Sequence, residues 1–437
     1  MKRITKHTEE RALPATGVGR RLKHSIDPTL LAIVGEGLFS RMAFGMLSFT
    51  LPLYARHLGL SFSQIGILLS LNSAVAIGCK PFLGWTADRF GPKKTLVVAV
   101  TLRSLVSLLL VFASAPWQLF AIRSLHGVSM SLRDPAAGVL LAEPGKKGKS
   151  GVASAFAWYQ TAKTVAGSSS KAIAGILMGL FGARYPILFL IGFVLSSLPL
   201  YVVIRHVREL PPVRHEHPVK AAGASGPVAP ARAPVFTVAG LGFLVAGSAE
   251  MLSGLFPVLA TEYAGLTTTQ TGVLYAISTS IAVVAGPVFG WLSDNVSSKL
   301  VLAIRGAANA LSSIVYLFFP TFAGVGIARC VDDMGTAAFR PAWGSLMGQV
   351  AQLDRKKRAQ TMSWLSMGED GGGVVGPMLA GFLWNGWGIG ALMGTRVLLA
   401  ILSEVYALAV SRKLAPSPRI SPILALAPQP AGETTCS

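Results

Sequence analysis

Long apolar stretches, each broken by only a few polar residues, recur along the whole chain and are joined by short loops. A hydrocarbon layer of about 30 Å takes about 20 helical residues to cross, and on that measure the pattern predicts twelve spans. Those of the first half cover about 29–54, 63–83, 94–115, 117–142, 151–180 and 186–205. Those of the second half cover about 235–260, 270–292, 299–319, 322–351, 359–384 and 388–411. Between the two sets, residues 206–234 hold many Pro and Ala and almost no large apolar side chain, the composition of a flexible linker. The expected organisation is an N-terminal tail (1–28), a six-helix bundle (29–205), the linker (206–234), a second six-helix bundle (235–411) and a C-terminal tail (412–437).

Composition agrees with the pattern. Of the 437 residues, 52% are hydrophobic and 13% charged, against about 25% charged in a soluble domain, which excludes an ordinary water-soluble fold. The net charge of +20 changes meaning once the spans are drawn. Of the 39 Lys and Arg, 26 fall in the tails and the loops on the side of the termini, two in the opposite loops (Arg56, Arg184) and 11 within spans. That asymmetry is the positive-inside signal, so both termini are expected in the cytoplasm of a multi-pass plasma-membrane protein. The basic residues form no aromatic-interleaved stripe, so no nucleic-acid partner is expected. The first 28 residues lack the short apolar core of a cleaved signal. Cys79, Cys330 and Cys436 have no paired spacing, and no metal or other cofactor is expected.

Sliding the chain on itself by 206 residues brings matching residues together in one gapless register. It pairs Gln64 with Gln270, Gly66 with Gly272, Pro81 with Pro287, Gly84–Trp85 with Gly290–Trp291, Asp88 with Asp294, Lys93 with Lys299 and Arg123 with Arg329. Pro135 with Pro341, Gly138 with Gly344, Trp158 with Trp364 and Gly175 with Gly381 continue it. Six helices, a linker and six matching helices in the same orientation describe an all-α membrane protein of two parallel repeats. The axis relating them runs along the membrane normal, with a substrate site between the halves.

GWTADRFGPKKTL, from Gly84 to Leu96 between the second and third spans, resembles the loop signature of the major facilitator superfamily, with Gly84, Asp88, Arg89, Gly91, Lys93 and Lys94 at the matching positions. The second copy, GWLSDNVSSKL, is degenerate. LFAIRSLHG, with Arg123 and Gly127 in the fourth span, resembles the motif of the twelve-helix proton-coupled drug and metabolite exporters, with His126 where glutamine is common. The fifth span departs from those exporters: it reads GSSSKAIAG, whereas an intact G-x-x-x-G-P-x-x-x-G stands in the eleventh span at Gly372, Gly376, Pro377 and Gly381. The resemblance implies the major facilitator fold, alternating access, and a conformational switch at Gly84, Asp88, Arg89, Gly91 and Lys93. It also implies that Arg123 modulates a nearby protonation site. An arginine reaching for the bilayer surface is the competing reading of Arg123.

An ionised side chain at bilayer depth costs at least about 2.5–3.5 kcal/mol, so each needs a partner, a cavity or a proton. Arg41, Arg133, Asp134, Lys163, Glu250, Asp332, Asp333, Glu369 and Asp370 lie near mid-span. Asp333 is expected to pair with Arg329 as an i,i+4 neighbour, whereas Lys163, Lys171, Glu250 and Glu369 have no opposite charge in reach on their own helix. Arg41, Arg133, Lys163, Lys171 and Glu250 are therefore the candidate substrate-binding residues. Glu36, Glu250, Glu369 and Asp370, with Arg123, are the candidate proton-coupling residues. Arg103, Arg305, Arg396 and Glu404 are assigned to structural pairing or to reaching the interface, and so is Lys80.

Three further signals fail on context. EPGKKGKS (143–150) lacks the first glycine of a phosphate loop and joins two membrane helices. His215, Glu216 and His217 lie in the linker, and the triplet Asn295–Ser297 falls on the cytoplasmic side. The resulting expectation is a monomeric secondary transporter exporting a small amphipathic compound or metabolite with protons, its excess of intramembrane cations favouring an anionic group on the solute. Uptake of an organic anion and a transport-inactive sensor or scaffold are the competing readings. An enzyme is not expected, because no nucleophile, base and oxyanion arrangement can be named.

Overall fold

A computed structural model describes residues 28–142, 152–182, 184–207, 232–292, 298–352 and 358–413. Its helices are α1 (Pro28–His57), α2 (Phe62–Phe90), α3 (Pro92–Phe112), α4 (Pro116–Ala142), α5 (Val152–Phe181) and α6 (Tyr185–His206) in the first half. In the second half they are α7 (Arg232–Ser253), α8 (Thr268–Leu292), α9 (Ser298–Phe318) and α10 (Phe322–Gln352). The stretch Arg358–Lys413 is broken at Gly388, where φ is 80°, into α11 (358–387) and α12 (389–413). A short helix, Phe256–Val258, and a π-helical turn, Leu259–Tyr263, extend α7. Phosphate-loop-like 143–150, His215 to His217, Asn295 to Ser297, Cys436, both tails before residue 28 and after 413, and linker residues 208–231 lie outside the described residues.

The repeat is visible in the helix ends as well as in the helices. Ser61 and Gln64 cap α2 reciprocally, Ser61 N–H donating to Gln64 Oε1 (2.9 Å) and Gln64 N–H to Ser61 Oγ (3.3 Å). Thr267 and Gln270 do the same for α8 at 2.9 and 3.1 Å. Both are capping boxes that satisfy amides the first helical turn leaves open. The preceding turns use Gly59 (φ 84°) and Gly265 (φ 65°), and the turns after α5 and α11 use Gly182 (φ 65°) and Gly388 (φ 80°). Each of these four partnerships keeps the same spacing of 206 that separates Arg56 from Glu262.

Eight described helical segments are long and apolar enough to cross a membrane unaided, one of them containing both α11 and α12. The helices outside that group are α4, α9 and α10. α4 carries Arg123, Arg133 and Asp134, α10 carries Arg329, Asp332, Asp333 and Arg340, and α9 is apolar only over Ala303–Phe318. Most of their charges face protein, while Asp134 and Arg340 are exposed. Glu36 of α1 is sealed against Arg133 of α4 by two bonds of 2.8 Å, Nε to Oε1 and Nη2 to Oε2. In the second half, Asp332 Oδ1 accepts from Arg305 Nη1 (3.1 Å) and Arg396 Nη2 (2.8 Å), and Arg396 is fully buried. Ser312 and Ser313 accept from the remaining Arg396 amine. The structural role expected of Arg305 and Arg396 is this pairing, and Arg329 meets Asp333 at 3.0 Å as the i,i+4 rule anticipates.

Between the halves, α2 packs on α11 and α5 on α8. Contact is closest at the end of the bundle away from the termini, where four glycines set the distance. A Cβ on Gly66 would lie 2.5 Å from the Pro377 carbonyl oxygen, and one on Gly175 would lie 2.6 Å from Gly272 Cα. Gly381 and Gly272 face those same glycines in return. These are the glycines that match across the repeats, so the α2–α11 crossing is the symmetry image of the α8–α5 crossing. Arg56 binds Glu262 through two bonds of 2.8 and 3.0 Å near the axis, and the Arg56 guanidinium covers Phe62, which stacks on Trp384 at 4.4 Å.

The apolar core divides in the same way. At the end away from the termini one cluster joins both halves, including Phe49, Leu68, Met178, Phe256, Tyr275 and Ala380. At the end of the termini there are separate clusters, one around Ile33, Leu96 and Leu140 and another around Leu241, Phe339 and Leu365. Exposed Phe82 on α2 and Trp364 on α11 lie toward that second end.

Two outcomes follow from these contacts. Gly66→Ala or Gly175→Ala sets a methyl group against neighbouring backbone that cannot yield, which costs the closed end about 1–3 kcal/mol. In a background lacking the native cysteines, labelling of a Thr271→Cys thiol from that end should accelerate about tenfold or more, while the same glycine substitution leaves detergent-solubilised protein folded. Asp332→Asn strands two buried guanidiniums and should cost about 3–5 kcal/mol. It is read as a large fall in the thermal stability of the purified protein, with little loss for the exposed-pair variant Glu262→Gln.

Candidate functional site

At mid-depth between the halves, α5 faces α10, where Arg340 reaches Thr164, and Glu250 of α7 stands against α11 at Gly373. By helical rise, Lys163 and Glu369 each sit about 17 Å from the termini end of their helices. The spacing of 206 also makes them equivalent positions of the two repeats, as it does Asp134 and Arg340. At both places the repeats carry opposite charges. This was readable in the sequence, but it has meaning only once the axis places equivalent residues at equal depth.

Several of the expected site residues come together here. The Arg41 guanidinium lies 4.8 Å from the Phe44 ring centroid, and Lys163 Nζ lies 4.9 Å from that of Tyr159. Arg340 Nη1 reaches across from α10 to donate to Thr164 Oγ1 at 3.2 Å. Glu369 Oε2 accepts from Trp343 Nε1 at 3.1 Å. Glu250 is exposed into the same region and stands beside Gly373 of α11. Among the described residues, Arg41, Lys163, Arg340, Glu250 and Glu369 make no ion pair.

Other expected residues are placed differently. Arg133 and Glu36 are closed on each other inside the first half, and Asp134 leans on the same Arg133 at 3.7 Å. Glu36 also accepts from Ser40 Oγ at 2.8 Å. Lys171 sits at the closed α5–α8 seam, its Nζ 5.3 Å from the Tyr275 ring centroid. Asp370 is paired with Lys80 of α2 at 3.1 Å, an inter-half contact, so of the two roles expected of Lys80 it takes pairing and not reaching the interface. Helix facing decides this: Lys80 lies on the side of α2 turned to α11. Arg123 points inward too, over Phe44 (5.8 Å) and toward His126 Nδ1 (3.2 Å) and the Leu68 carbonyl. The surface-reaching reading of Arg123 does not hold. Buried His126 stands between Arg123 and Arg103, whose Nη2 is 3.5 Å from Nε2.

The segment read as a loop over 84–96 is mostly helix. α2 runs through Phe90, and Gly91 (φ 90°) alone turns the chain before Pro92 opens α3. A positive φ costs glycine nothing, and proline fits the first helical position, so one residue makes the turn. Gly84 and Asp88 fall within α2, and their side-chain surroundings lie outside what the structure describes. Arg89 covers Phe90 at 5.8 Å, and Lys93 Nζ donates to the Ile204 carbonyl oxygen at the end of α6 (3.1 Å). Sequence reasoning missed Arg340 and Trp343 as site residues. The signal available was the equivalence of Arg340 with Asp134. An apolar groove of about 550 Å³ also runs between α8 and α10, lined by Ser280, Val284, Val288, Phe289 and Met334 among others.

The chain resembles known membrane transporters over most of its length. Multidrug resistance protein MdtG of Serratia proteamaculans (strain 568) is 23% identical over 378 residues, covering 83% of this chain and 89% of that protein. The MdtG of Salmonella arizonae (strain ATCC BAA-731 / CDC346-86 / RSK2980) is 33% identical over 116 residues, 26% of this chain and 29% of that protein. Among solved structures, a bacterial homolog of the human lysosomal transporter Spinster, in an inward-facing and occupied conformation, superposes with a TM-score of 0.70 at 15% identity. It covers 88% of this chain and 96% of that one. The nucleoside transporter NupG superposes at 0.67 with 16% identity, covering 89% of this chain and all of that one (100%). At these identities the structural likeness speaks for the fold. The profile described as Major Facilitator Superfamily matches residues 37–327 and again 238–428, and the chain belongs to that superfamily.

Proposed function

We propose that this transporter exports a small amphipathic compound or metabolite from the cytoplasm in exchange for protons, by alternating access. The observation that carries the reading is the divided core: both halves share one apolar cluster at one end and have separate clusters at the other. With both termini in the cytoplasm, as the Lys and Arg distribution favours, this is the arrangement open to the cytoplasm. The opposite state would part the glycine crossings and bring the termini ends of the halves together.

Glu250 and Glu369 suit the coupling step. A carboxylate at bilayer depth is tolerated when it is protonated or when a cation faces it. Each can therefore hold a proton in one half of the cycle and meet a cationic group of the solute in the other. Asp370 takes a different part, since its Lys80 bond must break whenever α2 and α11 separate. Glu36 supports the first half through Arg133. Arg123, within the same half, holds α4 to α1 and α2. The corner of α2, α3 and α6 formed by Gly91, Arg89 and Lys93, with Gly84 and Asp88 in the preceding turns, is the switch at the cytoplasmic end. Lys93 ties α3 to α6 so that the corner moves as one piece. Names of the relatives support efflux as the direction. Uptake of an organic anion is favoured by one observation, that Arg41 and Lys163 make no ion pair among the described residues.

Purified protein in liposomes, with a trapped pH dye and an imposed pH gradient, tests the reading against a panel of amphipathic drugs and dyes. At least one compound should accumulate while the gradient dissipates, and Glu369→Gln should slow both by about tenfold or more with the fold retained. Movement of neither protons nor solute would leave a sensor or scaffold.

A further inference from the structure

Among the described residues, five mid-depth charges make no ion pair, and they fall into two groups by sign. Arg41, Lys163 and Arg340 gather where α1 and α5 meet α10: the Arg41 side chain lies against Gly167, one helical turn along α5 from Lys163, and Arg340 donates to Thr164, the residue after Lys163. Glu250 and Glu369 gather where α7 meets α11: Glu250 stands beside Gly373, one helical turn along α11 from Glu369, while Asp370 is already answered by Lys80. The two corners adjoin along α10, where Arg340 reaches Thr164 beside Lys163 and Trp343, three residues on, holds Glu369. Long flexible side chains this near one another would close into ion pairs if pairing were their task. Instead four of them are held by neutral partners: Arg41 by Phe44, Lys163 by Tyr159, Arg340 by Thr164 and Glu369 by Trp343. The opposite charges nearby, Asp134 and Lys80, are taken by Arg133 and Asp370, so the like charges of each corner are left beside one another.

We propose that the solute is dipolar, its acidic group taken by Arg41, Lys163 and Arg340 and its basic group by Glu250 and Glu369. This rests on the transporter reading above and narrows its solute class. A purely anionic solute would leave the acidic corner unrelieved, and a purely cationic one would leave the basic corner so. A dipolar solute relieves the repulsion in both at once. It also bridges the halves, since Arg41 and Lys163 belong to the first while Arg340, Glu250 and Glu369 belong to the second. The same contact would displace the coupling proton: a cationic group arriving at Glu369 favours the carboxylate, and the proton leaves to water on the open side. Opposite charges at the equivalent positions Lys163 and Glu369 fit this use, because identical charges there would bind a symmetric solute.

Binding to the purified full-length protein tests the proposal without turnover. Radiolabelled sulfate and guanidinium ions serve as single-charge probes at low ionic strength, and a series of ω-guanidino acids of increasing chain length serves as the dipolar probe. Sulfate and guanidinium should bind together, neither displacing the other. Arg41→Gln and Lys163→Gln should each weaken sulfate about tenfold and leave guanidinium nearly unchanged. Glu250→Gln and Glu369→Gln should do the converse, with thermal unfolding confirming that each variant is folded. At least one dipolar probe should displace both ions and bind about tenfold more tightly than either, as linked groups do. Absence of binding, competition of the two ions for one place, or displacement of only one ion by every dipolar probe would overturn it. Should the liposomes still couple solute to protons in that event, only the dipolar class is lost. Should they not, the transporter reading goes as well.

Discussion

A charge carried to the middle of a bilayer has to be answered, and the way each one is answered organises this molecule. Glu36 and Arg133 answer one another within the first half, and Asp332 answers both Arg305 and Arg396 within the second. Such pairs add little net stability over apolar packing, but losing one partner is costly. They therefore bind the helices of each half to one another in a fixed arrangement. Each half becomes a body with its own polar spine, able to move against the other without exposing those charges. Arg41, Lys163, Arg340 and Glu369, answered among the described residues by aromatic faces, a hydroxyl and an indole, are the ones that face the space between the halves.

Movement between the halves requires contacts that are tight but can be undone. The glycine crossings meet that need. Where Gly66 meets Gly381 and Gly175 meets Gly272, no side chains interlock, so backbones approach closely and can part without withdrawing knobs from holes. Small residues are the usual means of close approach between membrane helices. The polar inter-half links, Arg56 with Glu262, Lys80 with Asp370 and Arg340 with Thr164, are partly exposed and offer their groups to water when they open.

Duplication explains the architecture, and divergence explains the site. Caps, turn glycines and crossings have stayed alike in the two repeats because each performs the same geometric task twice. At Lys163 and Glu369, and again at Asp134 and Arg340, the repeats have acquired opposite charges at equal depth. The symmetry that closes the end away from the termini is thus broken at mid-depth, where an asymmetric solute would be recognised.

The sequence by itself determined the twelve spans, most of their ends, the repeat and the family resemblance. Those properties are written along one dimension: a run of apolar residues fills a fixed thickness, and a constant offset needs no knowledge of neighbours. Even the i,i+4 pair of Arg329 and Asp333 was accessible, since one helix supplies both partners. What only the tertiary structure decided is which distant charges meet. Arg133 appeared to be as free as Arg41, yet rotation of α4 turns it onto Glu36, 97 residues away. Lys80 looked peripheral until α2 met α11 and brought it to Asp370, 290 residues away. Arg340 gained its place in the site only because α10 lies opposite α5. Pairing depends on helix rotation and on which helices are neighbours, and neither is fixed by the spacing of residues along the chain.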